Sequence, residues 1–215
     1  MKAVRTLTVI FPLVIFSILT GGCAAGNKYT YHDAVAGITA RGTKTVSVAT
    51  HDRRGYVVDG SKSPDFTGLQ RGGFGNPFDV STGSGKALAE DMTAVMSASL
   101  AKSGFKAVPV TVLHSEDQAA VMEKLKKSGG ESLLLLTLKE WKSDTYTNVG
   151  LIYDVTLKVF DRGGSPVAEK NLKGEDNLGG SAWNPPAHAR KAVPEAFGKK
   201  IEELFNAPEI AGSLR

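Results

Sequence analysis

The apolar positions along this chain change period several times, and each change marks an element. Leu7–Leu19 is an almost unbroken apolar run of thirteen residues, preceded by Lys2 and Arg5 and closed by Thr20-Gly21-Gly22-Cys23. Thr45–Thr50 alternates, with Val46 and Val48 on one side, which predicts a first strand. Arg53–Ser84 is rich in glycine and aromatics and holds no sustained period, so it reads as a long loop with short strands at most at Tyr56–Val58 and Phe78–Val80. A helix is predicted from about Gly85, capped by Ser84, with Leu88, Met92, Val95, Met96, Ser99 and Leu100 as its buried stripe and Gly104 at its end. Phe105–Leu113 reads as a strand, and Pro109, which has no N–H, suits a sheet edge. Ser115 and Gln118 resemble a capping box for a second helix carrying Ala119, Met122 and Leu125.

A three-strand meander is predicted next. Leu133–Leu136 is apolar on both faces, as in an interior strand. Leu151, Tyr153, Val155, Leu157 and Val159 share one face, Asp161–Gly164 is a turn, and Val167–Leu172 pairs back. A last helix starts at Asn184-Pro185-Pro186, buries Val193, Phe197, Ile201, Leu204 and Phe205, is expected to kink or restart at Pro194, and stops at Pro208. The fold expected is α+β: a mixed sheet with an antiparallel C-terminal meander and about three helices packed mainly on one face. This order resembles the YajG-like lipoproteins of Gram-negative bacteria. The likeness rests on Cys23 and the residues before it, on Ser103-Gly104-Phe105 closing a helix, and on Leu133–Leu138 leading into Tyr153–Phe160. That family is not known as enzymes, so the resemblance implies a location more than a chemistry.

The first segment has the layout of a secretory signal, and thirteen apolar residues fall short of the ~20 needed to span a bilayer as a helix. Cys23 is the only cysteine and follows two small residues, as in the lipobox of bacterial lipoproteins, although Thr20 stands where that pattern prefers Leu. The resemblance implies cleavage before Cys23 and acyl chains on it, and Ala24 in place of Asp implies transfer to the outer membrane. An ordinary secreted protein with an incidental thiol is the alternative. The domain organisation expected is a signal at 1–22, a flexible tether at 23–44, one periplasmic domain at 45–208 containing the Gly-rich loop 53–84, and a tail at 209–215. Tyr29 and Tyr31 in the tether are placed to rest at a lipid interface.

Without residues 1–22 the chain keeps 24 of its 26 basic residues against 22 acidic ones, a net charge of +2. No basic block accompanies the aromatics, which excludes nucleic acid as a partner class. Gly83-Ser84-Gly85-Lys86 fails as a phosphate loop, since Val80 and Ala87 stand where Gly and Ser or Thr are required. His32, His51, His114 and His188 are far apart and lack ligand spacing, so no metal or other cofactor is implied. No catalytic residues emerge, and a non-catalytic role is expected. The candidates for binding an envelope protein are the loop aromatics Phe66, Phe74 and Phe78, together with Trp141, Tyr146 and Trp183 near the ends of meander elements; for Trp141 and Trp183 the favoured reading is a place capping the core beside the sheet. Val167–Leu172, as an edge, is a second docking candidate. The competing function is a small-ligand or hydrolytic module acting on envelope fragments, which requires a deep pocket.

Overall fold

A computed structural model describes residues 26–215. The expected signal segment and Cys23 lie outside the described residues. The chain runs through β1 (Lys28–Tyr29), β2 (Thr45–Asp52), α1 (Gly55–Val58), β3 (Phe66–Arg71), β4 (Pro77–Thr82) and α2 (Leu88–Lys102). It continues with β5 (Lys106–Pro109), α3 (Gln118–Lys127), β6 (Ser132–Thr145), β7 (Asn148–Asp161), β8 (Pro166–Gly180), α4 (Pro185–Asn206) and α5 (Pro208–Ser213). The fold is α+β, as the periodicities predict.

All eight strands join one mixed sheet, and β6 is its spine. One side of β6 pairs antiparallel with β7 along its whole length, and β7 with β8, giving the predicted meander. The other side has two tenants. Ser132–Leu138 pairs in parallel with β2, which in turn pairs with β5. Ser143–Thr145 pairs instead with β3, which carries β4 and then β1. The sheet therefore forks where β2 ends.

Alternation along β2 and β6 divides the core between two faces. Val46, Val48, Leu134, Leu136 and Leu138 pack with α2 and α4 into the larger cluster. Ala49, Leu133, Leu135 and Phe160 pack with Val121 and Leu125 of α3 on the opposite face. Covering on both sides explains the continuous apolar run of β6. Pro109 ends the short edge strand β5, and Gly104 takes the left-handed conformation (φ 97°) that stops α2.

Several expectations are corrected. The tether is part of the domain. Tyr29 and Tyr31 are fully buried, and Ala36, Ile38 and Ala40 alternate into the larger cluster. The Ala36 N–H donates to Ser99 Oγ at 2.9 Å, and Thr39 N–H to Asn206 Oδ1 at 2.8 Å. The two tyrosines thus support the core and not a lipid contact. Residues 53–84 are not one loop: α1, β3 and β4 lie within them. The tail forms α5, with Ile210 and Leu214 buried. Helix α2 starts later than predicted, with Ala87 at its N-cap, while Ser84 Oγ meets the Lys86 N–H at 3.1 Å. Asp117, not Ser115, caps α3 by accepting from the Ala120 N–H at 2.8 Å. Helix α4 runs through Pro194 without a restart, and β8 extends well past Leu172.

Removing the supposed tether should therefore unfold the domain. Burial of each of Tyr29, Tyr31 and Ile38 contributes about 1.5–3 kcal/mol, a large share of the roughly 5–15 kcal/mol that holds a domain together. A chain starting at Thr45 is expected to show no cooperative thermal transition by circular dichroism, whereas one starting at Ala24 should melt in a single step.

Candidate functional site

The fork is the most chemically loaded place in the described residues. Ladder pairing of β2 with β6 ends as the Arg53 N–H donates to the Leu138 carbonyl at 2.8 Å. Between Leu138 and Glu140 the β6–β7 register slips, a bulge at the same level. The chain then turns inward, and Arg54 is wholly buried. Its Nε and Nη2 donate to the two carboxylate oxygens of Asp52 at 2.9 and 2.7 Å. Its remaining N–H groups reach the carbonyls of Phe66 (2.6 Å), Trp141 (3.4 Å) and Pro64 (3.3 Å). A guanidinium has five N–H donors, and all five are committed. Burial opposes the charge, but the hydrogen bonds and charge of Asp52 outweigh it and hold the guanidinium above its ordinary value.

Tyr56 closes the fork from α1. Its hydroxyl donates to Glu140 Oε1 at 2.6 Å, and its ring meets Phe66 edge-on at 5.4 Å. Burial first, and the Glu140 carboxylate after it, push this phenol well above its usual value, so it stays a donor.

The order β5-β2-β6, with α2 and α3 on opposite faces, places a topological switch point between β2 and β6. In open α/β sheets a ligand occupies the crevice at the strand ends there. Here Arg54 and its partners fill that crevice. What stays open is a groove beside it, about 380 Å³, between the start of α2 and the segment after β5, lined by Asp52, Pro64, Gly85, Val112 and His114 among others. A smaller cavity of about 160 Å³ adjoins it, and the buried Thr50 hydroxyl, without a hydrogen-bond partner, lines it. His51 is buried on the other face of β2, with Nε2 unpartnered. Burial first, and then the Arg53 charge, hold its imidazole below the ordinary value, so it is neutral. The four histidines do not converge: His32 sits beside Asp33 on the surface, and His188 Nε2 meets the Leu178 carbonyl at 2.9 Å. Among the described residues no group of three or more His, Cys, Asp or Glu is placed to hold a metal.

The candidate partner-binding residues separate into two sets. Phe66 and Trp141 are buried and cannot meet a partner. Trp141 stacks edge-on against Phe197 at 5.4 Å and donates from Nε1 to the Tyr31 hydroxyl at 3.1 Å, which in turn meets Thr67. Phe78 is half-buried in β4. Phe74 and Tyr146 are exposed and adjacent, the Tyr146 hydroxyl donating to the Gly73 carbonyl at 3.3 Å. Trp183 does not lie beside the core; it is 95% exposed. The fork escaped the sequence reading because Asp52-Arg53-Arg54 looks like the charged end of any strand.

No protein-family model matches the chain, and a comparison with curated proteins finds no match. The fold is similar to the crystal structure of protein XCC0632 from Xanthomonas campestris, of family DUF330, with a TM-score of 0.50 at 11% identity, covering 87% of this chain and 94% of that one. A solved uncharacterised protein aligns with a TM-score of 0.48 at 9% identity over 88% of this chain and 100% of that one. Lipoprotein GNA1162 from Neisseria meningitidis aligns with a TM-score of 0.36 at 12% identity over 74% of this chain and 99% of that one. At 11% identity the likeness to XCC0632 is one of fold alone.

The fork makes two predictions. Arg54→Met leaves the Asp52 charge buried and without its counter-charge and takes a donor from the Phe66 and Trp141 carbonyls, while Pro64 keeps the Leu88 N–H at 2.9 Å; it should lower stability by about 3–5 kcal/mol in urea unfolding. The unfolded chain takes up a proton on His51 near pH 6.5 that the folded chain refuses until lower pH, so stability drops as pH falls through that value. His51→Gln removes that titration while Arg53, Asp52 and Glu116 remain around the site. Its melting temperature should therefore fall less than the parent's between about pH 7 and about pH 5.

Proposed function

We propose that this chain is a lipid-anchored protein of the bacterial outer membrane, related in kind to the YajG-like lipoproteins, whose domain works in the periplasm without catalysis by docking a second envelope protein. The observation that carries the reading is the lone Cys23, which follows a thirteen-residue apolar run and the small residues Thr20-Gly21-Gly22 and stands three positions before Gly26, the first described residue. One acyl chain holds a protein only marginally, whereas two or more anchor it stably. The donors of Arg54 are spent on the fold and are not offered to the groove beside it. For docking, β8 offers an edge of fifteen residues that pairs only with β7 among the described strands. Lys170 and Lys173 lie on it and discourage indiscriminate pairing.

Fractionation of cells with a photo-crosslinker at Val167 on β8 tests both halves together. The parent chain should sediment with outer membranes and give one discrete crosslinked protein, and Cys23→Ser should move it to the soluble fraction. Unchanged sedimentation of Cys23→Ser would remove the anchor, and diffuse or absent crosslinks from Val167 would remove the docking edge.

A further inference from the structure

The two ends of the sheet differ in kind. At the C-terminal end of β6 three connections meet: the β3–β4 turn, the β6–β7 turn and the link from β8 to α4. Their adjacency is fixed by Gln70 pairing with Thr145 and by Asn148 pairing with Gly180. The Ser181 N–H donating to the Thr147 carbonyl at 3.1 Å ties the last two together. Residues 72–78, 145–148 and 177–187 contain no Asp, Glu, Lys or Arg. They present Phe74 at 103%, Trp183 at 95% and Tyr146 at 49% exposure. Exposed aromatics on three separate connections at one uncharged end are not what a solvated tip requires. The opposite end is the reverse: Lys102, Lys106, Lys127, Glu131 and Arg162 crowd it, and no aromatic of this exposure lies there.

The beginning of the described chain selects what covers the aromatic end. β1 runs parallel to β4, with Lys28 opposite Ser81, so tracing the chain back from Lys28 leads toward the β3–β4 turn. Gly26 lies against the Asp79 carbonyl, so close that a Cβ there would sit 1.6 Å from its oxygen. Gly26 is three positions after Cys23, and three steps of chain span at most roughly 11 Å. The fourteen residues of β6 put the charged end about 45 Å away. An acyl group on Cys23 thus brings the aromatic end to the bilayer and keeps the charged end from it. Behind the aromatics, Lys28 and Arg190 are exposed, and Arg71 is neutralised by Asp144 at 2.5 Å.

We propose that this end is a membrane-contacting surface, in which Phe74, Tyr146 and Trp183 enter the interfacial layer of a phospholipid bilayer and set the domain upright on it. Rings of this amphipathic kind concentrate at that depth in membrane proteins. The orientation rests on the anchored reading above, but the contact is testable without it.

The mature chain from Cys23 is coupled through its single thiol to maleimide-bearing lipid in phosphatidylethanolamine–phosphatidylglycerol vesicles, which imposes the tether whether or not cells acylate Cys23. Of the two tryptophans, Trp141 is fully buried and serves as a constant background for Trp183. Trp183 emission should shift to the blue on coupling and be quenched by lipids brominated near the headgroup. Without coupling, Phe74→Ser should weaken co-sedimentation of the chain with the same vesicles by about tenfold. Trp183 emission unchanged on the tethered chain would overturn the proposal. So would adsorption abolished by salt with no shift, which marks charge alone, or shielding of Trp183 in cells but not on vesicles, which marks a protein cover. Because the tether is chemical, none of these outcomes depends on the Cys23→Ser fractionation.

Discussion

A strand of fourteen residues needs backbone partners along its whole length, and β6 has no single neighbour on one side long enough to supply them. β2 serves it as far as Leu138, and β3 takes over from Ser143. In the gap, buried carbonyls would be left without donors, each a cost comparable to a lost hydrogen bond. Arg54 answers this with one side chain, serving Phe66 and Trp141 at once, adding to the Leu88 N–H at Pro64, while Asp52 balances its charge. Replacing a buried ion pair by apolar groups is often neutral or favourable, so Coulomb attraction by itself does not account for this one. The accounting of carbonyls does, since no apolar side chain can donate to them.

The elements with a strong period were legible from the chain. The β6–β7 pairing, the both-faces-apolar run of β6 and the buried stripes of α2 and α4 all follow from it. Less legible were segments whose apolar signal is sparse. Ala36, Ile38 and Ala40 do alternate, but two alanines and one isoleucine among glycines and threonines look like linker, and only packing against α2 and α4 makes a core strip of them. Helix starts were misplaced for a related reason. Ser84 and Ser115 have the right chemistry to cap, yet Ser84 serves the preceding turn and Asp117 lies nearer the first helical residue of α3.

The candidate residues divide along the same line. An aromatic in a turn announces itself by type, and Phe74 and Tyr146, singled out that way, stand exposed. Sequence cannot say which aromatics face inward, because Phe66 and Phe74 sit in the same Gly-rich stretch and have opposite fates: one packs on Tyr56, the other is fully exposed. Trp141 and Trp183 repeat the contrast. Asp52 and Arg54 were invisible because their role depends on three carbonyls from residues 64, 66 and 141, which come together only when the fork forms.

The fork and the aromatic end also bear on one another. β3 and β4 reach the end of the sheet only because β2 stops at Asp52 and yields its place on β6. Had β2 continued, the β3–β4 turn and Phe74 would have no position beside Tyr146. The buried ion pair is thus the internal condition for assembling that outer surface. On the proposed orientation β8, about 50 Å long at fifteen residues, rises from that end as the one long unpaired edge among the described strands. β5, the edge beyond β2, is four residues long and ends in a proline that cannot donate. A partner strand of the kind proposed would therefore be directed to β8, where Glu169, Lys170, Lys173 and Glu175 set the charge pattern it would have to match.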